Sequence, residues 1–203
     1  MDKDIFCQYD KIKDDILYET KDFFVKVGFG LITPGHVMLV PKSHYDSFAD
    51  LSEELKQEGT KLKRLLIQKI TAAFSEPFLV EYGNCGSVAH AHIHFIPKKG
   101  EGYEIQDIVT EMVSSRNIPH TSASKEKAMI YKSGDCYVSI EDNGKFSYIP
   151  GTTFEEWWDD TDYRKFFSEV KGFKGVRAWS SLTREEKILD EHKREITKKM
   201  LRF

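Results

Sequence analysis

The sequence predicts an α+β fold. Three observations carry the prediction. Short apolar runs of four to eight residues alternate with turn signals from residue 15 to residue 97. One long helical stripe interrupts them at 52–74, where Leu55, Leu62, Leu65, Leu66, Lys69 and Ala73 recur at helical spacing. After a polar, proline-bearing stretch at 114–127, a second series of strands gives way to helices.

In chain order, residues 15–27 read as two strands joined at Glu19–Asp22, and a Pro34–Gly35 turn leads into a strand at Val37–Pro41. Ser52 is placed to cap the long helix, with Glu53 and Glu54 in its first turn. Pro77–Tyr82 and His90–Pro97 are two further strands, connected by YGNCGS. Ile105, Ile108, Val109 and Met112 mark a short amphipathic helix. Beyond 127, strands are expected at Ala128–Lys132, Cys136–Glu141 and Lys145–Ile149, with a turn at Asp142–Asn143–Gly144. Helices are expected at Tyr163–Val170 and about 183–202. The last has Ile188, Leu189, Ile196, Met200 and Leu201 as its apolar stripe. The expected organisation is one domain over 1–113, a linker at 114–127 and a β-then-α extension over 128–203.

Composition excludes several classes. Thirty basic against 33 acidic residues leave a net charge of −3, which gives no whole-molecule drive toward nucleic acid or anionic membrane. The three cysteines, Cys7, Cys85 and Cys136, are odd in number and form no CxxC pair, so a disulfide framework is not expected and reduced thiols are. The N-terminus lacks the apolar core of a secretory signal, and no apolar run reaches the ~20 residues of a membrane span. The expectation is a cytoplasmic protein, with the nucleus as the alternative compartment.

Three of the seven histidines lie in HAHIHFIP, as His90, His92 and His94. On a strand their side chains share one face, about 6.6–6.8 Å apart, while Ala91, Ile93 and Phe95 face the other way, toward the 52–74 helix. Neighbouring imidazoles discourage each other's protonation, so at least one is expected to be neutral near pH 7. Three readings compete: histidines that tolerate solvent, a zinc site, and phosphoryl chemistry with a histidine nucleophile. No metal is expected, because no third or fourth ligand can be named near the run; the nearest following carboxylate is Glu101.

The run fits the pattern His-φ-His-φ-His-φ-φ, and PGHVMLVPKSH (Pro34 to His44) precedes it across the helix. Over roughly residues 5–113 the chain resembles the histidine triad (HIT) family of nucleotide hydrolases and transferases, and the GFGLITPGH string is closer to its CwfJ-like branch. The RAWSSLTREEK segment is faintly similar to that branch too. The resemblance implies an antiparallel sheet of about five strands with the long helix across one face. It implies catalysis at the α-phosphate of a nucleoside phosphoramidate, dinucleoside polyphosphate or capped nucleotide. His92 would be the nucleophile, forming a covalent nucleotidyl-histidine, with His90 and His94 contacting phosphate oxygens and Ser87 bonding the leaving-group side. His36 would lie beside the phosphate, and backbone N–H groups of Asn84–Ser87 would offset its charge. No metal or cofactor is implied.

Where many members carry an acid for the ribose this chain reads VGFGL, and Glu81 is the candidate substitute. The paired N-terminal cysteines of some members are reduced to Cys7. Lys98 could attract polyphosphate or RNA backbone, against a plain surface reading, and Trp157–Trp158 could stack a base, against packing in their own unit. Implied partners are a nucleotide, an RNA end or RNA-processing partner and a second copy in a homodimer, and no membrane. The alternative class is a non-catalytic nucleotide- or RNA-binding module of an RNA-processing assembly.

Overall fold

The computed structural model describes residues 4–84, 88–98, 121–124, 137–150 and 182–203. Their strands are β1 (Ile16–Glu19), β2 (Phe23–Val27), β3 (Val37–Pro41), β4 (Pro77–Gly83), β5 (Ile93–Pro97), β6 (Thr121–Ser124), β7 (Tyr137–Asp142) and β8 (Lys145–Pro150). The helices are α1 (Tyr9–Ile12), α2 (Glu53–Ala73) and α3 (Arg184–Met200). All strands join one antiparallel sheet in the order β1-β2-β3-β5-β4-β7-β8-β6.

The sheet therefore has eight strands rather than about five. The first five stand where the resemblance puts them. β4 would otherwise present a bare row of N–H and C=O groups, and β7 pairs with it over Leu79–Gly83, burying Tyr137, Val138 and Ile140. β7 turns into β8 through Asn143 (φ 50°) and Gly144 (φ 74°), both left-handed as a two-residue hairpin requires. Four residues of the segment read as a linker, Thr121–Ser124, pair with Lys145–Tyr148 as the outermost strand. They carry no apolar alternation, so nothing in their pattern announces a strand. The Ala128–Lys132 strand, the 105–112 and 163–170 helices and Trp157–Trp158 lie outside the described residues.

α2 starts where expected: Ser52 Oγ accepts from the Leu55 N–H at 3.4 Å. Its Leu62, Leu66 and Ile70 pack on Phe23, Val25, Leu39, Leu79, Ile93 and Phe95 of the sheet. The opposite face carries a smaller cluster of Phe24, Met38 and Val40, covered by Phe6 and Ile12 of the N-terminal turns.

α3 departs from expectation most. Its supposed apolar stripe is exposed at Ile188, Leu189 and Met200, and its buried residues are Asp190, Arg194 and Thr197. Only Leu201, just past the helix, enters the core as expected. The helix docks by polar bonds. Asp190 accepts from the N–H groups of Gly30 (3.0 Å) and Leu31 (2.5 Å), Thr197 Oγ1 accepts from Gly35 N–H (2.8 Å), and Lys193 donates to the Leu31 carbonyl (2.9 Å). Arg194 pairs with Asp15 and Glu191. A loop with no strand partners thus obtains its backbone partners from a helix more than 150 residues away in sequence. Among the described residues no helix is long and apolar enough to cross a membrane.

Candidate active site

The histidine face is built by register. Lys26 pairs with Met38, Met38 with His94 and His94 with Val80, so these side chains share one side of the sheet. β5 begins at Ile93, not at residue 90; His90 and His92 occupy the bend just before it. That bend is held by Ala91 N–H donating to the Tyr45 carbonyl (2.6 Å) and His90 N–H to that of Val88 (2.8 Å). All three histidines are buried. The ring centroids of His92 and His94 lie 4.8 Å apart, and the Phe6 ring sits 5.2 Å from His92.

Each ring has a bond that assigns its tautomer. His92 Nδ1 lies 2.7 Å from the His90 carbonyl, an acceptor only, so Nδ1 carries the proton and Nε2 keeps its lone pair. Burial, first of all, holds this imidazole down at about 4, so it is neutral at pH 7. Ile32 N–H donates to His36 Nδ1 at 3.3 Å, which puts the His36 proton on Nε2. That proton faces His94 Nδ1 at 2.9 Å, which leaves the His94 proton on Nε2. A chain from backbone amide through His36 to His94 thus fixes an N–H donor on His94 beside the unprotonated Nε2 of His92.

His36 owes its place to the residue before it. Gly35 has φ 87°, and a Cβ there would stand 2.7 Å from Phe74 Cδ2 and Pro97 Cγ. No other residue fits both demands.

His90 is engaged differently. Its Nε2 donates to the Pro41 carbonyl (2.8 Å), and its Nδ1 faces Asp4 Oδ1 (3.2 Å) and Cys7 Sγ (3.6 Å). His44 Nδ1 meets Asp4 Oδ2 at 3.0 Å. Burial would raise the Asp4 carboxyl, but hydrogen bonds from Cys7, His90 and His44 hold it below the usual carboxylate range. Asp4, Cys7, His44 and His90 each offer a ligand atom, all within 4.8 Å of one another. One thiolate, two imidazoles and a carboxylate suit a tetrahedral divalent metal such as zinc. The expectation that no ligand set could be named is corrected here. It considered only neighbours in sequence, and three of the four donors come from the N-terminus and from the end of PKSH.

Other candidates fall elsewhere. Glu81 pairs with Ile93, so it points to the α2 side, away from the histidines. There its Oε1 accepts from Phe48 N–H and from the Tyr137 hydroxyl, both at 2.8 Å, and burial pushes its carboxyl up. It does not reach a ribose on the histidine face. Gly83 lies beneath that tyrosine, and a Cβ would stand 2.1 Å from its ring. Lys98 sits past the far end of β5, six residues from His92 and thus roughly 20 Å away along the strand. There it pairs with buried Asp142 (2.5 Å) and Glu76 (3.7 Å) rather than a phosphate. Asn84 opens the loop before the triad with φ 58°, and its N–H donates to the Asp46 carbonyl. Ser87 and Cys85 lie outside the described residues.

The sequence reading missed Phe6, Lys26, Asp190 and Arg194. Lys26 was findable, because strand alternation puts it on the histidine face; the others had no local signal.

A histidine pair with fixed tautomers on one face of an antiparallel sheet, with a helix on the other, defines a class. Residues 10–101 match the HIT domain. The chain is 30% identical over 124 residues to the bis(5'-adenosyl)-triphosphatase of Dictyostelium discoideum, covering 57% of this chain and 80% of that one. It is 27% identical over 114 residues to the asymmetrical bis(5'-nucleosyl)-tetraphosphatase of Schizosaccharomyces pombe, covering 54% of this chain and 63% of that one. Among solved structures, a Hit-like protein of Bartonella henselae superposes with a TM-score of 0.46 at 22% identity, covering 51% of this chain and 82% of its own. This chain belongs to the HIT family.

Proposed function

We propose that the protein is a nucleotide hydrolase or nucleotidyl transferase that works through a covalent nucleotidyl-His92. Its substrates are a dinucleoside polyphosphate, a nucleoside phosphoramidate or a capped nucleotide. One observation carries the reading: the bond from His92 Nδ1–H to the His90 carbonyl, which leaves the lone pair on Nε2 of a neutral ring.

In the first step the Nε2 lone pair forms a bond to the α-phosphorus, and the bond from phosphorus to the leaving group breaks. The leaving phosphate takes the electron pair and departs as an anion, and His94 Nε2–H is the preset donor that hydrogen-bonds to its developing charge. In the second step water attacks the same phosphorus, the N–P bond breaks with its electron pair returning to His92 Nε2, and the water's proton leaves to solvent with the nucleotide product. His36, fixed by Ile32 N–H, keeps His94 in the donating tautomer throughout. The names of the two hydrolase relatives support a phosphoanhydride as the bond cleaved.

The test is rapid quench with a diadenosine polyphosphate labelled at the α-phosphorus. An acid-labile, base-stable label on the peptide containing His92 is expected, and His92→Ala should lose both label and turnover. A label on Ser87 or Cys85, or wild-type turnover in His92→Ala, overturns the mechanism.

A further inference from the structure

Strand β2 carries a lysine where a buried face calls for an apolar side chain. Lys26 is 2% exposed, and its row runs through Met38 to His94. Its ammonium donates to the Val27 carbonyl at 2.6 Å and lies 5.8 Å from the Phe6 ring centroid and 5.7 Å from that of Phe29. Among the described residues it has no other acceptor. The carboxylate whose field it feels, Asp15, is already bonded to Arg194 and to Lys198 (2.8 Å). The acids of α3 nearest in sequence to Arg194 are also committed, Asp190 to the Gly30 and Leu31 amides and Glu191 to Arg194. Among the described residues Lys26 thus keeps a positive charge and two N–H donors in a desolvated place with no carboxylate bonded to it. Burying such a charge is strongly unfavourable unless it is compensated. Burial accordingly lowers this ammonium to about 8, and it remains charged at neutral pH.

The position is next to the reacting centre. Phe6 stands between, 5.2 Å from the His92 ring on one side and under the Lys26 ammonium on the other. Two strand spacings separate Lys26 from His94, about 10 Å between Cα atoms, which is the scale of one nucleoside. A neutral base edge there would satisfy the N–H donors and leave the charge unpaired. An anion satisfies both.

We propose that Lys26 forms a subsite for a second anionic group carried on the nucleoside portion of the substrate, of the kind a 2'- or 3'-phosphate supplies, separate from the phosphate attacked by His92. The inference rests on the reading above that a nucleotide lies across the histidine face. It puts a cation on that face in a chain that lacks a ribose acid at VGFGL, and so selects phosphorylated over free ribose.

The experiment is calorimetric titration of the full chain with adenosine 5'-monophosphate, adenosine 3',5'-bisphosphate and adenosine 2',5'-bisphosphate. One bisphosphate is expected to bind about tenfold or more tightly than the monophosphate, the gain of a charge-assisted bond. The two bisphosphate arms decide which ribose position is read. Lys26→Met should bring the ratio to about one, and Lys26→Arg should retain a preference. If the monophosphate binds and neither bisphosphate binds more tightly, the subsite is wrong and the proposed function stands. A preference that survives Lys26→Met also overturns it. If none of the three binds, the nucleotide reading fails and the subsite with it. The wild-type comparison alone decides the matter if the variants do not fold.

Discussion

His92 and His94 differ by one hydrogen bond each, and that difference assigns their work. A carbonyl on Nδ1 leaves His92 Nε2 with its lone pair, as the proposed nucleophile requires, and an N–H on Nδ1 leaves the His94 proton on Nε2. His94→Ala is expected to cut kcat by roughly a hundredfold to a thousandfold, the range for losing one positioned donor. His36→Ala removes only the group that fixes the His94 tautomer. Because the two act as one unit, the double variant should be little worse than His94→Ala, which steady-state kinetics of the three variants checks. Lys26 gives a prediction in the opposite direction. Its folded value, about 8, lies below the 10.5 of an unfolded lysine, so the unfolded chain binds more protons between these values. Stability contributed at this site rises with pH across that window and is lowest below 8. Lys26→Met should therefore stabilise the protein at pH 7, by up to about 3 kcal/mol, and the gain should vanish near pH 10.5. Denaturation of both proteins across pH measures it, and a destabilised Lys26→Met at pH 7 sinks the idea of an uncompensated charge.

At the scale of elements, α3 is a strut for the loop that carries His36. Asp190→Ala removes the carboxylate that accepts from the Gly30 and Leu31 N–H groups, and should cost about 2–3 kcal/mol. It should also slow turnover, since the Ile32 amide that fixes His36 follows Leu31 directly. Denaturant unfolding and kcat, measured together, test this; an Asp190→Ala enzyme of full stability would mean that the helix only rests against the loop. α2 offers room for improvement. A Cβ at Gly59 would meet Phe23 and Phe48 at 3.6 Å, ordinary contact distance. Gly59→Ala should add about 0.5–1 kcal/mol through helix propensity, read as a higher Tm.

For the whole molecule, two clusters share His90–His94 and separate their duties. Asp4, Cys7 and His44 gather at His90, while the nitrogens that would act on phosphate belong to His92 and His94. Turnover is therefore expected to persist in EDTA. Its strict loss, restored by zinc, would move the chemistry onto the Asp4 cluster.

The sequence by itself determined the α2 stripe, the first five strands and the hairpin at Asn143–Gly144. Periodicity and turn chemistry are local, and a strand or helix expresses them wherever it packs. Two motifs in order also sufficed for the family. The tertiary structure alone decided which polar residues meet. Glu81 lost its assigned role because register turned it toward Tyr137, and Lys98 lost its own because β5 carries it to the far end of the sheet. Asp190, Arg194 and Thr197 are buried although they lie on the polar side of an amphipathic helix. Backbone amides of a loop need acceptors, and a charged helix face supplies them as an apolar one cannot. That demand arises between segments distant in sequence, so no window along the chain contains it.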